Sequence, residues 1–145
     1  MAEKQTNITY FHVIANMLTG QRAFRGDERS QAGFLTLTTT GRKTGQQRMT
    51  HLVYMRDGAD YVLTASNGGG PRDPGWLYNI RSNPQVMIGV HGKTLRGTAE
   101  VAGPEKRKAL WEQWAQIAPM YKGYEKRTTR EIQMVIVHPT PASDR

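Results

Sequence analysis

Six runs of strand length, each rich in residues that favour extended backbone, constrain this chain more than any other feature. They are FLTLTTT (34–40), MTHLVYM (49–55), YVLTAS (61–66), QVMIGV (85–90), TLRGTAEV (94–101) and IQMVIV (132–137), the last ended by His138 and Pro139. Val, Ile, Thr, Tyr and Leu at these positions suit a pleated, half-buried surface. RDGAD joins the second run to the third and HGK the fourth to the fifth, and both are hairpin signals. Two helical patterns interrupt the strands. PRDPGWLYNIRSNP reads as a short helix bracketed by prolines, with Asp73 or a neighbour as its cap. From Pro104 to about Ala118, Leu110, Trp114 and Ile117 form one stripe, widened by Trp111. Without a regular βαβ alternation, this order argues against a doubly wound sheet and for a small barrel with added helices.

Ahead of the first run, Ile8, Phe11, Ile14, Met17 and Leu18 share one helical face, and Gly20 is a plausible stop. The expected organisation is an N-terminal helix and linker over 1–32 and a barrel domain over 33–145. The helix suits covering the core or packing on a second subunit. A membrane-surface contact is the weaker reading, because His12 and Asn16 dilute the segment and its polar face is poor in Lys and Arg. The chain of 145 residues has no cysteine, which excludes disulfides and thiolate chemistry. It shows no apolar stretch near membrane-spanning length and no signal-peptide pattern, so a cytoplasmic location is expected. Its net charge of +8 favours an anionic partner: nucleic acid, a phosphorylated cofactor or an acidic membrane surface.

The stretch TLTTTGRKTGQQRMT, Thr36 to Thr50, concentrates that charge. Arg42 and Lys43 lie between two glycines in a tight turn, and Arg48 follows closely. GRKTG is not a P-loop, since no glycine directly precedes the lysine, and NGGGP does not fit the dinucleotide fingerprint. A turn of small residues nonetheless offers backbone N–H groups to an anion, and the three cations add charge-assisted hydrogen bonds. A solvated basic hairpin end fits the spacing equally. The four histidines His12, His51, His91 and His138 lack metal-ligand spacing, so no metal is expected. Trp111 and Trp114 are expected in the core. Trp76 lies beside glycines that allow a ligand to approach.

Three blocks, TTTGRKTGQQR, RDGADYVLTASNGGGPRDPGWLYNIRSNP and YKGYEKRTTREI, resemble in order and spacing the deazaflavin-dependent nitroreductase family. The likeness extends over roughly Phe34 to Pro139. It implies an α+β fold, a split β-barrel of the FMN-binding type, with coenzyme F420 (an 8-hydroxy-5-deazaflavin) in a basic groove. Arg42, Lys43 and Thr44 match the turn holding the cofactor's phosphate and tail, and Arg48 matches a nearby arginine. Contacts from Met49, Thr50, His51 and Leu52 are implied as well. Thr64, Ala65, Ser66 and Asn67 match the strand end beside the deazaflavin ring, and Trp76 and Asn79 the helix closing over it. Tyr121 and Tyr124 match tyrosines above the ring where substrate binds. His51 stands where family members often have proline, and Asn67 where they often have lysine, which leaves one phosphate contact in question.

The implied activity is hydride transfer from reduced F420 to electron-poor small molecules such as quinones, nitro compounds, coumarins and related unsaturated lactones. Such chemistry needs orientation of ring and acceptor and stabilisation of the resulting anion, with no metal or protein nucleophile. Tyr124, Tyr121 or Ser66 could donate the proton, and solvent could as well. The implied partners are the anionic deazaflavin and a small hydrophobic acceptor, with no nucleic acid, and a homodimer left open. Two other functions compete: a flavin-, haem- or tetrapyrrole-binding protein on the same barrel, and a basic nucleic-acid-binding module. The last lacks the aromatic-and-basic strand pattern of an RNA-recognition motif.

Overall fold

The computed structural model describes residues 31–119, 122–123, 126 and 129–141. The proposed N-terminal helix, most of the linker, Tyr121 and Tyr124 lie outside the described residues. In chain order come β1 (Ala32–Thr40), β2 (Gln47–Asp57), β3 (Asp60–Thr64), a 3-10 turn (Asn67–Gly69) and α1 (Gly75–Ser82). Then follow β4 (Gln85–Val90), β5 (Lys93–Val101), α2 (Pro104–Ile117) and β6 (Met134–Pro139).

The strands close into an antiparallel barrel in the order β1-β2-β3-β6-β5-β4, with β4 returning to pair with β1. With helices packed on it, this is the α+β split barrel expected from the sequence. The two faces of each strand explain its pattern. On β1, Leu35 and Leu37 are buried while Thr36 and Thr38 are half-buried, the alternation of a strand with one covered face. On β3, the apolar part of β6 and the Val53–Met55 stretch of β2, both faces are covered. Tyr54, Tyr61, Leu63, Val135 and Val137 pack in one core with Leu35, Leu37 and the α1 residues Trp76, Leu77 and Ile80. Val53, Met55, Val62, Met134 and Ile136 turn the other way and pack with Leu110, Trp111 and Trp114 of α2. The tryptophans of α2 are therefore core residues, as expected.

Two local expectations are made more exact. The cap of α1 is the neighbour of Asp73 rather than Asp73 itself. The cap position is Pro74, without a side-chain hydrogen bond, and the Asp73 carboxylate instead meets Arg130 at 3.0 Å. The last strand begins at Met134 rather than Ile132 and includes His138 and Pro139. Ile132 is buried ahead of the strand, where its carbonyl accepts from Arg107 Nε at 2.8 Å and so joins α2 to the lead-in of β6.

One feature of pairing places the functional site. β2 pairs with β1 from Gln47 to Met55, but with β3 only from Tyr54 to Asp57. Among the described residues, the 47–53 stretch of β2 has no strand on its second edge. The barrel opens there.

On the closing strand, His138 contacts carboxylates with both ring nitrogens: Nε2 to Glu100 Oε2 at 2.8 Å and Nδ1 to Asp60 Oδ1 at 3.1 Å. The hydrogen bond to Glu100 does most to raise its pKa; burial opposes this, and Asp60 adds to the rise. Because the folded pKa is raised, this stabilisation is complete below the unfolded value of about 6.5 and is lost as pH rises through the folded pKa. His138→Gln should therefore lower the urea midpoint relative to the parent at about pH 5.5 more than at about pH 9. An equal difference at both pH values would contradict the bridge.

Candidate functional site

The turn between β1 and β2 is built by its own backbone. Gly41 N–H donates to the Gln46 carbonyl at 2.7 Å, and Gly45 N–H to the Gly41 carbonyl at 2.8 Å. Gln46 N–H donates to Thr44 Oγ1 at 3.2 Å. Gly45 has φ of 72°, a left-handed conformation that costs glycine little. A Cβ at Gly41 would lie 2.9 Å from Thr44 Oγ1, so the tight fold of the turn requires glycine there too.

Asn79, buried on α1, fixes this turn from behind. Its Oδ1 accepts from Arg42 N–H at 3.1 Å, and its Nδ2 donates to Thr39 Oγ1 at 3.0 Å. The Arg42 guanidinium lies 4.8 Å from the Tyr78 ring centroid. With those amides engaged, the N–H groups of Lys43 and Thr44 remain at the apex without an acceptor among the described residues. Two such adjacent N–H groups beside Arg42, Lys43 and Arg48 form an anion-binding concavity.

The turn forms one end of a groove of about 930 Å³. Arg42, Lys43, Thr44 and Arg48 line that end, and Met49, Thr50, His51 and Leu52 continue along the open stretch of β2. Thr64, Ser66 and Asn67 line the wall beyond β3, with Trp76 and Asn79 contributed by α1. Thirteen of the residues expected from the sequence are thus brought to one groove. Ala65 is not among them. It is fully buried in the barrel core, and its carbonyl accepts from Arg130.

Sequence reasoning passed over Arg72, which also lines the groove. Its signal was an arginine in GGGPRDP, between glycines read as allowing a ligand to approach and the proline-bracketed start of the short helix. Asn67, in a left-handed conformation with φ of 47°, donates from Nδ2 to the Arg72 carbonyl at 3.1 Å and so shapes the backbone that carries this arginine. Among the described residues, Arg42, Lys43, Arg48 and Arg72 make no ion pair. Other cations do: Lys106 contacts Asp57 at 3.0 Å, and Arg130 contacts Asp73 at 3.0 Å. No group of His, Asp or Glu suited to holding a metal occurs among the described residues. Nor is any described helix long and apolar enough to cross a membrane.

The fold and groove define a class: a split β-barrel protein with a basic, cofactor-sized cleft at its open seam. The chain belongs to the F420H(2)-dependent quinone reductase family, which it matches over residues 13–139. An F420H(2)-dependent quinone reductase of Mycobacterium tuberculosis is 42% identical over 106 residues, covering 71% of each chain. The solved structure of an F420-H2 dependent reductase superposes with a TM-score of 0.67 at 33% identity, covering 72% of this chain and 93% of that one. Another solved structure, of a domain-swapped dimer, superposes with a TM-score of 0.68 at 28% identity, covering 92% of this chain and 99% of that one.

Proposed function

We propose that this chain is a reductase that binds reduced coenzyme F420 in the groove and directs its hydride to quinones and related electron-poor acceptors. The observation that carries this reading is that four cations lining one groove make no ion pair among the described residues, and that two N–H groups at its basic turn have no acceptor among them. Holding like charges together without counterions is costly, and an anionic ligand relieves that cost. A deazaflavin with a phosphate and an acidic tail suits the arrangement better than a cofactor ending in one phosphate. Cations gathered around a concave cleft also suit a compact anion better than an extended nucleic acid.

The residues fit such a ligand. Arg42, Lys43 and Arg48, with the Lys43 and Thr44 N–H groups, would hold the phosphate, and Arg72 would add charge from the opposite wall. The seam of β2 and the face of Trp76 would bound the ring. When bound, the reduced cofactor supplies a hydride, and the acceptor needs one proton to complete its reduction. Ser66 is buried yet lines the groove, so its hydroxyl is one candidate donor. Tyr124 and Tyr121 are the others, proposed from family resemblance, with solvent as the remaining source. The relative described as a domain-swapped dimer supports self-association of this chain, which sedimentation would test by showing mass greater than one chain.

Lys43→Ala and Arg48→Ala each remove a charged hydrogen bond worth roughly 1.5–3 kcal/mol, raising the deazaflavin dissociation constant about ten- to a hundredfold. Lys108→Ala, on the exposed face of α2, controls for net charge; Lys106 is a poorer control because it pairs with Asp57. Fluorescence titration at one salt concentration decides. Equal losses in the turn variants and the control would mean a diffuse field rather than a site.

If Tyr124 supplies the proton, Tyr124→Phe lowers turnover while cofactor affinity holds. An unchanged turnover number would assign the proton to another donor.

A further inference from the structure

Arg130 lies ahead of β6, in the part of the sequence that follows Tyr121 and Tyr124. Its side chain is 15% exposed. Nε donates to the Gly70 carbonyl at 3.1 Å, and Nη2 to the Ser66 carbonyl at 2.8 Å. Nη1 donates to the Ala65 carbonyl at 3.1 Å and to Asp73 Oδ1 at 3.0 Å. All four acceptors belong to the link 65–74 between β3 and α1.

That link is irregular. Asn67 and Gly68 have φ of 47° and 65°, and among the described residues its internal backbone hydrogen bond runs from Gly70 N–H to the Asn67 carbonyl at 3.0 Å. Carbonyls in such a segment have no ladder to satisfy them, and leaving them buried without donors is costly. A guanidinium is the side chain suited to collecting several at once, because its donors are planar and fixed in a fork. Lysine offers charge without that geometry.

The opposite side of the link is groove wall, presenting Ser66, Asn67, Gly68, Arg72 and Asp73. Asp73 is the carboxylate among the groove residues, and its charge opposes an anionic ligand. Arg130 sits against it, with Arg81 farther away at 4.0 Å.

We infer that Arg130 is a positioning residue for the reaction, an inference that rests on the function proposed above. It acts in two ways from behind the wall. Its fork sets the path of residues 65–74, and with it the placement of Ser66 and Arg72. Its charge offsets Asp73, so the wall does not repel the cofactor.

The test uses the full chain with Arg130→Lys and Arg130→Gln. Hydrogen exchange of the protein without cofactor should quicken in residues 66–73 and stay unchanged in the barrel strands. The deazaflavin dissociation constant should rise about tenfold or more in both variants, the loss of at least one charge-assisted hydrogen bond. The turnover number should fall more than the acceptor KM changes. Adding Asp73→Asn to Arg130→Gln should recover part of the lost affinity, because it removes the carboxylate that Arg130 no longer offsets. Unchanged exchange in 66–73 with unchanged affinity would overturn the inference. Faster exchange throughout the barrel, with normal affinity in the folded fraction, would also overturn it and leave Arg130 a general structural role. Failure of the parent protein to bind deazaflavin would overturn the proposed function instead, while the exchange comparison still decides whether Arg130 sets the link.

Discussion

The unequal pairing of β2 is the constraint on which the site depends. One edge of this strand is satisfied by β1 along most of its length, whereas β3 reaches only its last four residues. Backbone groups along the remainder need water or a ligand, since polar groups sealed away unpaired are costly. The barrel can close elsewhere and keep this seam because its two cores lie to either side. α1 fills one with Trp76, Leu77 and Ile80, and α2 covers the other with Leu110, Trp111 and Trp114. The seam is held open by well-packed neighbours rather than by a gap in the core.

Around that seam the chain arranges charge with the same economy. Asn79 spends both ends of its amide on fixing the basic turn, one on the Arg42 backbone and one on Thr39. Among the described residues, this leaves the Lys43 and Thr44 N–H groups at the apex without an acceptor and the nearby guanidinium and ammonium groups without an ion pair. Asp73, the carboxylate in the groove wall, is engaged by Arg130, and outside the groove Asp57 meets Lys106 while Asp60 and Glu100 meet His138. Positive potential is thus concentrated in the groove, where it favours an anion both in encounter and in binding.

Much of the barrel was legible because side-chain patterns follow directly from which faces are covered. Leu35 and Leu37 alternating with threonines announce one buried face. The apolar run at Met134–Val137 announces two. The basic turn was legible for a similarly local reason, with Gly41, Arg42, Lys43 and Gly45 adjacent in sequence. What escaped depends on long-range contacts that local chemistry does not encode. Asp73 has the composition of a helix cap but pairs with Arg130, 57 positions away. Asn79 was assigned by resemblance to the cofactor, and its amide proves to be a clamp on the turn. Ala65, one residue past β3, is fully buried in the core between groove-lining Thr64 and Ser66. Arg72 joined the site only once the irregular link was folded.

The central claim is that the seam and its unpaired cations form a site for a deazaflavin with a polyanionic tail. The most direct test titrates the unmodified protein with reduced coenzyme F420 and with flavin mononucleotide under matched conditions, then repeats both at higher salt. The account predicts a dissociation constant for the deazaflavin at least about tenfold smaller, because more anionic groups meet the cations. It also predicts that added salt erodes this preference, since exposed charges are screened over roughly 10 Å at about 0.1 M. Equal affinity for the two cofactors, or binding of neither, would contradict it.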